Sequence, residues 1–257
     1  MSLCIITDSV VPMTTTNPTP TSNPNLPECW QALEDVLSNG IDRVILFGPP
    51  GTGKTFAGMH FGNVSRGSHR ITCTEDMTNI DVDGAFLPAS DGKSFRWYEG
   101  KALKAWEAGG RLVIDEIDKA GSDVFATLLN FLDSPESASW EHPDTGVVYR
   151  PSQGFSAVMT TNVEDMDELP EALADRFPVR IRINQPHPLA LKRLSRDLRQ
   201  VAVQMADAGK QRISLRTFIA FDSLRKSLGD ERAAQIIFAS RAEGIIDAIK
   251  INAVDAK

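Results

Sequence analysis

The sequence predicts an α/β fold in which a parallel sheet is followed by a smaller, wholly helical C-terminal unit. Three observations carry this. Five short runs, 44–47 (VILF), 70–74 (RITCT), 111–114 (RLVI), 155–161 (FSAVMTT) and 179–183 (VRIRI), read as strands. Several are apolar almost throughout, as parallel strands covered on both faces are. After about Gln185 such runs stop, and helical spacing takes over in Leu191, Leu194, Leu198, Val201 and Met205, then in Ile245, Ile246 and Ile249. The third observation is GPPGTGKT (48–55), set directly after VILF, where a buried strand hands over to a helix.

Taken in order, residues 1–27 form a leader whose stretch 12–27 (PMTTTNPTPTSNPNLP) is too rich in Pro, Thr and Asn to bury much surface. Residues 28–184 carry the strand and helix alternation, and 185–257 make the helical unit. In DVFATLLNFL, the residues Val124, Phe125, Leu128, Leu129 and Leu132 line one helical face, with Ser122 or Asp123 as the expected cap. In WEHPDTGVVY (140–149), a Pro-Asp-Thr-Gly turn between two β-prone pieces predicts a hairpin. Phe95, Trp97, Tyr98 and Trp106 cluster in sequence and are expected to pack in the core.

Composition narrows the function classes. The chain has 257 residues, 42% hydrophobic and 24% charged, which is ordinary for a packed globular protein. A net charge of -7 gives no support for a general nucleic-acid binder. No apolar run approaches bilayer length, and the start MSLCIITDSVVP lacks the basic region and long apolar stretch of a secretory signal. Cys4, Cys29 and Cys73 are odd in number and none forms a CxxC pair, so neither a disulfide framework nor a zinc site is expected, and a cytoplasmic location is.

The loop satisfies GxxxxGK[ST] with Gly48, Gly53, Lys54 and Thr55, and Pro49, Pro50, Gly51 and Thr52 complete it. Glycines let backbone N–H groups turn inward around phosphates. Lys54 is expected to reach the β- and γ-phosphates of ATP, and the Thr55 hydroxyl to ligate Mg²⁺. RLVIDEID (111–118) then delivers carboxylates at the C-terminal end of a strand, where open α/β sheets bind ligands. Asp115 is the candidate Mg²⁺ partner, and Glu116 the general base that polarises the attacking water. An acidic turn alone is ordinarily a solvated feature. Paired with the loop, it predicts a nucleotide hydrolase.

GPPGTGKT, LVIDEID, AVMTTN (157–162) and LPEALADRF (169–177) together resemble the motif series of AAA+ ATPases, and the likeness runs through nearly the whole chain from about residue 28. The resemblance implies a P-loop core with a helical lid. It implies a sensor-1 role for Asn162, an arginine finger at Arg176 that serves a neighbouring subunit, and a sensor-2 arginine at Arg216. It therefore also implies a homo-oligomer, a hexameric ring. The segments 74–88 and 95–110 are similar to the MoxR branch, in which a second-helix insertion and a hairpin line the ring's working surface. The lid stretch ISLRTFIAFDSLRKSLGDERAAQ resembles the CbbQ/NirQ/NorQ subgroup.

What the resemblance implies is ATP hydrolysis that remodels or activates a client protein, with a von Willebrand factor A-domain protein as a possible partner. Two alternatives stand beside it: the ATPase motor of a metal chelatase, and a nucleic-acid-processing ATPase such as a helicase loader or phage DNA-processing protein. Seven Lys/Arg between His187 and Thr217 (192, 193, 196, 199, 210, 212 and 216) are the sequence's one argument for the last. They read better as a solvated lid face, or as a surface for the acidic 164–175 stretch of a neighbour.

Overall fold

The computed structural model describes residues 26–255. All but the last two residues of the predicted leader lie outside that range. In chain order the elements begin α1 (Glu28–Ser38), β1 (Arg43–Phe47), α2 (Lys54–His60), β2 (Ser68–Thr72), β3 (Gly84–Pro88), β4 (Phe95–Glu99) and α3 (Lys101–Ala108). They continue β5 (Arg111–Asp115), α4 (Ser122–Phe131), β6 (Trp140–Glu141), β7 (Val148–Tyr149), β8 (Ser156–Thr160), α5 (Glu171–Arg176) and β9 (Val179–Arg182). From there on the elements are helical: α6 (Pro188–Leu191), α7 (Arg196–Ala206), α8 (Leu215–Leu228), α9 (Asp230–Phe238) and α10 (Ala242–Asp255).

Five strands form one parallel sheet in the order β2-β5-β8-β1-β9. Alternate side chains on these strands enter different clusters. Ile45, Ile71, Leu112, Ile114, Ala157 and Met159 pack with α3 and α4, whereas Val44, Leu46, Val158 and Ile181 pack with α1 and α2. Coverage on both faces is why the central strands β5, β8 and β1 are buried almost throughout, whereas the edge strands β2 and β9 carry Arg70, Thr72, Arg180 and Arg182. A third cluster, from Leu194 through Phe218 and Phe238 to Ile249, belongs to the helical region alone.

The register sets up the site. Thr72 stands beside Asp115, Asp115 beside Thr160, and Thr160 beside Leu46, so the C-terminal ends of four neighbouring strands come level. The segments leaving β1, β5 and β8 all emerge from that edge. The helical region closes over it through three ties. Arg182 forms a two-point pair with Asp207 at 3.0 Å each, Arg212 pairs with Glu164 at 2.5 Å, and Trp30 Nε1 donates to the Gln185 carbonyl at 2.9 Å.

Two sequence expectations need correction. The cap of α4 is neither Ser122 nor Asp123: Gly121 holds that position, with no side-chain cap, because the helix begins a residue earlier than its apolar pattern suggests. The aromatic cluster is split. Trp106 is fully buried against Phe131 at 4.4 Å, but Phe95 and Tyr98 are exposed. β3 and β4 form a two-stranded ribbon: Tyr98 projects from the face opposite Trp97, and Phe95, on the face of Trp97, sits at the turn end of the ribbon beside Pro88, beyond the packing. Trp97 on that face meets Trp140 at 5.6 Å and His142 at 5.1 Å, which joins the ribbon to the predicted 140–149 hairpin, present as β6 and β7.

Candidate nucleotide site

The loop between β1 and α2 turns through three glycines with positive φ: Gly48 at +114°, Gly51 at +80° and Gly53 at +109°. Side chains are disfavoured there. Gly51 has a second constraint, since a Cβ on it would lie 2.7 Å from Ser214 Cβ, the residue that caps α8. The loop thus touches the start of a lid helix with no room to spare. Among the described residues, the N–H groups of Gly51, Thr52 and Gly53 make no hydrogen bond, as a phosphate cradle requires.

Lys54 opens α2 and is buried. Its Nζ donates to the carbonyls of Gly48 and Pro49, both at 2.8 Å, and to Asn162 Oδ1 at 3.1 Å. Burial is the main cause that lowers its pKa to about 8; Arg212 and Arg216 add to this, while Asp115 and Glu116 oppose it. A nearly dry ammonium without a carboxylate partner suits a group meant to meet phosphate.

Asp115 ends β5 and is buried. Its Oδ1 accepts from Thr55 Oγ1 at 2.8 Å and from Thr160 Oγ1, while Oδ2 accepts from Arg70. Glu116 follows with φ +57°, left-handed backbone that costs a non-glycine residue of order 1 kcal/mol or more. That turn swings its carboxylate sideways toward β8. Asn162 Nδ2 donates to Glu116 Oε1 at 3.2 Å, and Lys119 Nζ holds Oε2 at 2.7 Å. Asn162 therefore bridges Lys54 and Glu116, one amide atom to each.

These groups share a cavity of about 530 Å³, the size of a small-molecule site. Trp30, Phe61 and His187 form an aromatic part of its lining, with His187 centred 5.0 Å from Trp30 and 5.2 Å from Phe61. Arg193, Leu215, Arg216 and Ile219 reach it from the lid side. The donor set fits Mg²⁺: one hydroxyl and one carboxylate side by side are what this hard cation uses when phosphates complete its shell. Among the described residues no cluster of three or more His, Cys, Asp or Glu forms an all-protein metal cage.

The structure thus brings together Pro50, Gly51, Thr52, Gly53, Lys54, Thr55, Asp115, Glu116, Asn162 and Arg216, while Gly48 and Pro49 bind Lys54 from behind. Arg176 lies away from the cavity. It pairs with Asp133 at 3.3 Å and donates to the Ala172 carbonyl at 2.9 Å; Asp175, its neighbour in sequence, takes no part. Within the basic 192–216 stretch, Arg212 pairs with Glu164, Arg199 donates to the Leu194 carbonyl, and Arg193 and Arg216 line the cavity. Sequence reasoning missed Arg70, Trp30 and His187. A signal existed for Arg70 alone, a charged residue on the same face of its strand as the polar Thr72.

Comparison with known proteins agrees with this geometry. The family described as the AAA domain, dynein-related subfamily, matches residues 43–177, which is over half of the chain. Midasin from Giardia intestinalis is 34% identical over 95 residues, a stretch covering 37% of this chain and 2% of that protein. A crystal structure of NtrX from Brucella abortus in complex with ATP aligns with TM-score 0.50 at 16% identity, over 80% of this chain and 50% of NtrX. A second NtrX structure gives TM-score 0.51 at 17% identity, over 80% and 49%. The chain thus spans about half the length of NtrX and a small fraction of Midasin, and at these identities the structural likeness is one of fold. The match across the loop, the acidic strand end and α5 settles the family: the chain belongs to the AAA domain family, dynein-related subfamily.

Proposed function

We propose that the chain binds ATP with Mg²⁺ and hydrolyses it within a homo-oligomeric ring, using the cycle to remodel or activate another protein. The observation that carries the hydrolytic part is the Lys54–Asn162–Glu116 bridge. Lys54 and Glu116 meet opposite atoms of one amide, a spacing that supports Glu116 as base for a water beside a phosphate held by Lys54.

Each residue then has a task. The open loop amides and the buried Lys54 take the phosphate charge. Thr55 and Asp115 hold Mg²⁺, which when bound neutralises charge on the phosphate oxygens. Glu116 accepts the proton of the attacking water once Oε2 leaves Lys119, and Asn162 keeps Oε1 oriented. Trp30, Phe61 and His187 suit the flat face of a base. Arg216 approaches from the lid and links phosphate occupancy to lid position, as the sensor-2 resemblance suggests.

The ring and the client rest on less. Arg176 lies away from its own cavity, which suits a finger directed at a neighbour. The likeness of 74–88 and 95–110 to the MoxR branch supports a client-remodelling role, with a hexamer and a von Willebrand factor A-domain partner as the forms that branch suggests. The net charge of -7 and the pairing of Arg212 with Glu164 weigh against a nucleic-acid track. Among the described residues, no helix is long and apolar enough to cross a membrane. The test is steady-state ATP turnover and nucleotide retention in Glu116→Gln. Retained ATP with turnover reduced at least about a hundredfold is expected. Turnover equal to the parent protein would remove Glu116 from the role of base.

A further inference from the structure

Arg70 has no part in the chemistry above, yet it sits at its centre. It lies on β2, two residues before Thr72, and the register places Thr72 beside Asp115. Residues two apart on a strand share a face and stand roughly 6.6 Å apart. An arginine is long enough to cover that diagonal and lay its guanidinium against the neighbouring carboxylate. It does so: Arg70 pairs with Asp115 Oδ2 and also lines the cavity.

The balance of partners at Asp115 gives this contact its meaning. Oδ1 is held by the two hydroxyls of Thr55 and Thr160, and Oδ2 by Arg70. The hydroxyls are compatible with a metal, since either can turn its lone pairs outward. A guanidinium carries donors alone and cannot share a lone pair with a cation. Asp115 is 9% exposed at its side chain, whereas Arg70 is 46% exposed and free to swing into water.

We propose that Arg70 sets the divalent-cation requirement of this site by competing with Mg²⁺ for Asp115. The inference rests on the nucleotide reading above and adds a residue to it. Arg70 holds Oδ2 and leaves Oδ1 to the hydroxyl side, so a cation at Oδ1 shares one carboxylate charge with the guanidinium and is repelled by it; each weakens the other's hold on Asp115. The competition gives the site a threshold: it loads at a higher Mg²⁺ concentration than Thr55 and Asp115 would demand alone. Because Arg70 is half-exposed and its pair is screened by water, the threshold shift is several-fold and not orders of magnitude.

The experiment is a fluorescent-ATP binding titration with the full chain, run against Mg²⁺ and separately in EDTA, for Arg70→Gln and Arg70→Lys. Gln keeps length and loses charge; Lys keeps charge and loses the fork. For Arg70→Gln the half-saturating Mg²⁺ concentration should fall roughly three- to tenfold. Its affinity in EDTA should stay within about twofold of the parent, since the lost charge faces Asp115 and not the loop. Arg70→Lys should lie between the two. Displacement of Mn²⁺, followed by the paramagnetic resonance of the free ion, gives the same order without reference to turnover.

An unchanged or raised Mg²⁺ requirement in Arg70→Gln overturns the proposal. So does a large loss of affinity in EDTA with the requirement unmoved, which would make Arg70 a phosphate ligand. A parent protein that binds no nucleotide under either condition would overturn the nucleotide reading, and this inference with it.

Discussion

A single methyl group at Gly51 probes the junction between the phosphate loop and the lid. Its Cβ would lie 2.7 Å from Ser214 Cβ and 3.5 Å from Ser214 Oγ, whereas carbon atoms settle at about 3.5–4.0 Å. The overlap cannot be relieved by rotating a side chain, because both atoms are fixed by backbone. Gly51→Ala also places alanine at φ +80°, which costs about 1–2 kcal/mol. Overpacking adds about 1–3 kcal/mol, for a total loss of about 2–5 kcal/mol. The two contributions separate in a cycle with Ser214→Gly. Alone, that change replaces the α8 cap by glycine and costs a few tenths of a kcal/mol, roughly. Combined with Gly51→Ala it removes the clash and leaves the backbone strain, so the double variant should recover about 1–3 kcal/mol. Urea denaturation of the four proteins without nucleotide measures this. Additivity within about 0.5 kcal/mol would refute the reasoning, since it would mean that the lid does not rest on the loop.

Lys54 gives a pH dependence with a definite sign. Burial holds its pKa near 8, below the ordinary 10.5, so between those values the unfolded chain holds a proton the folded chain has released. In that window this group makes stability rise with pH, and Lys54→Met should flatten the slope. Phosphate needs the charged form, so ATP affinity should fall as pH passes above about 8, with proton uptake on binding visible by calorimetry in buffers of different ionisation enthalpy; no uptake there would contradict it. Arg216→Ala should weaken ATP binding more than ADP binding, because the side chain meets the cavity from the lid. Equal losses for both nucleotides would return Arg216 to the surface.

Much of the fold was legible because its signals are local. The central strands β1, β5 and β8 are buried on both faces, and an apolar run of that length has few other uses. GPPGTGKT and LVIDEID each encode a backbone path and a chemical group within one stretch, so Lys54, Thr55, Asp115 and Glu116 could be named before their distances were known. What escaped depends on register and on long-range approach. Arg70 acquires its role only when β2 lies beside β5. Trp30 and His187 meet across more than 150 residues of chain, through a lid whose placement no local pattern records. Asp133, the partner of Arg176, sits 43 residues away, so no local pattern announces that pair. The aromatic run misled because packing was inferred from residue type, while Tyr98 faces away from the covered side of the ribbon and Phe95 lies at its turn end.

The central claim, hydrolysis at a cavity completed by a neighbour's arginine, is tested most directly by mixing two inactive proteins. Lys54→Ala lacks the phosphate cation, and Arg176→Ala lacks the proposed finger. Each should turn over little ATP by itself, because an arginine at the γ-phosphate contributes about 10³-fold or more to turnover. If subunits alternate in a ring, some interfaces in the mixture join an intact cavity to an intact Arg176, and ATP turnover should reappear and rise with protein concentration. A mixture that stays inactive, or an Arg176→Ala protein that remains monomeric with full turnover, would contradict the account.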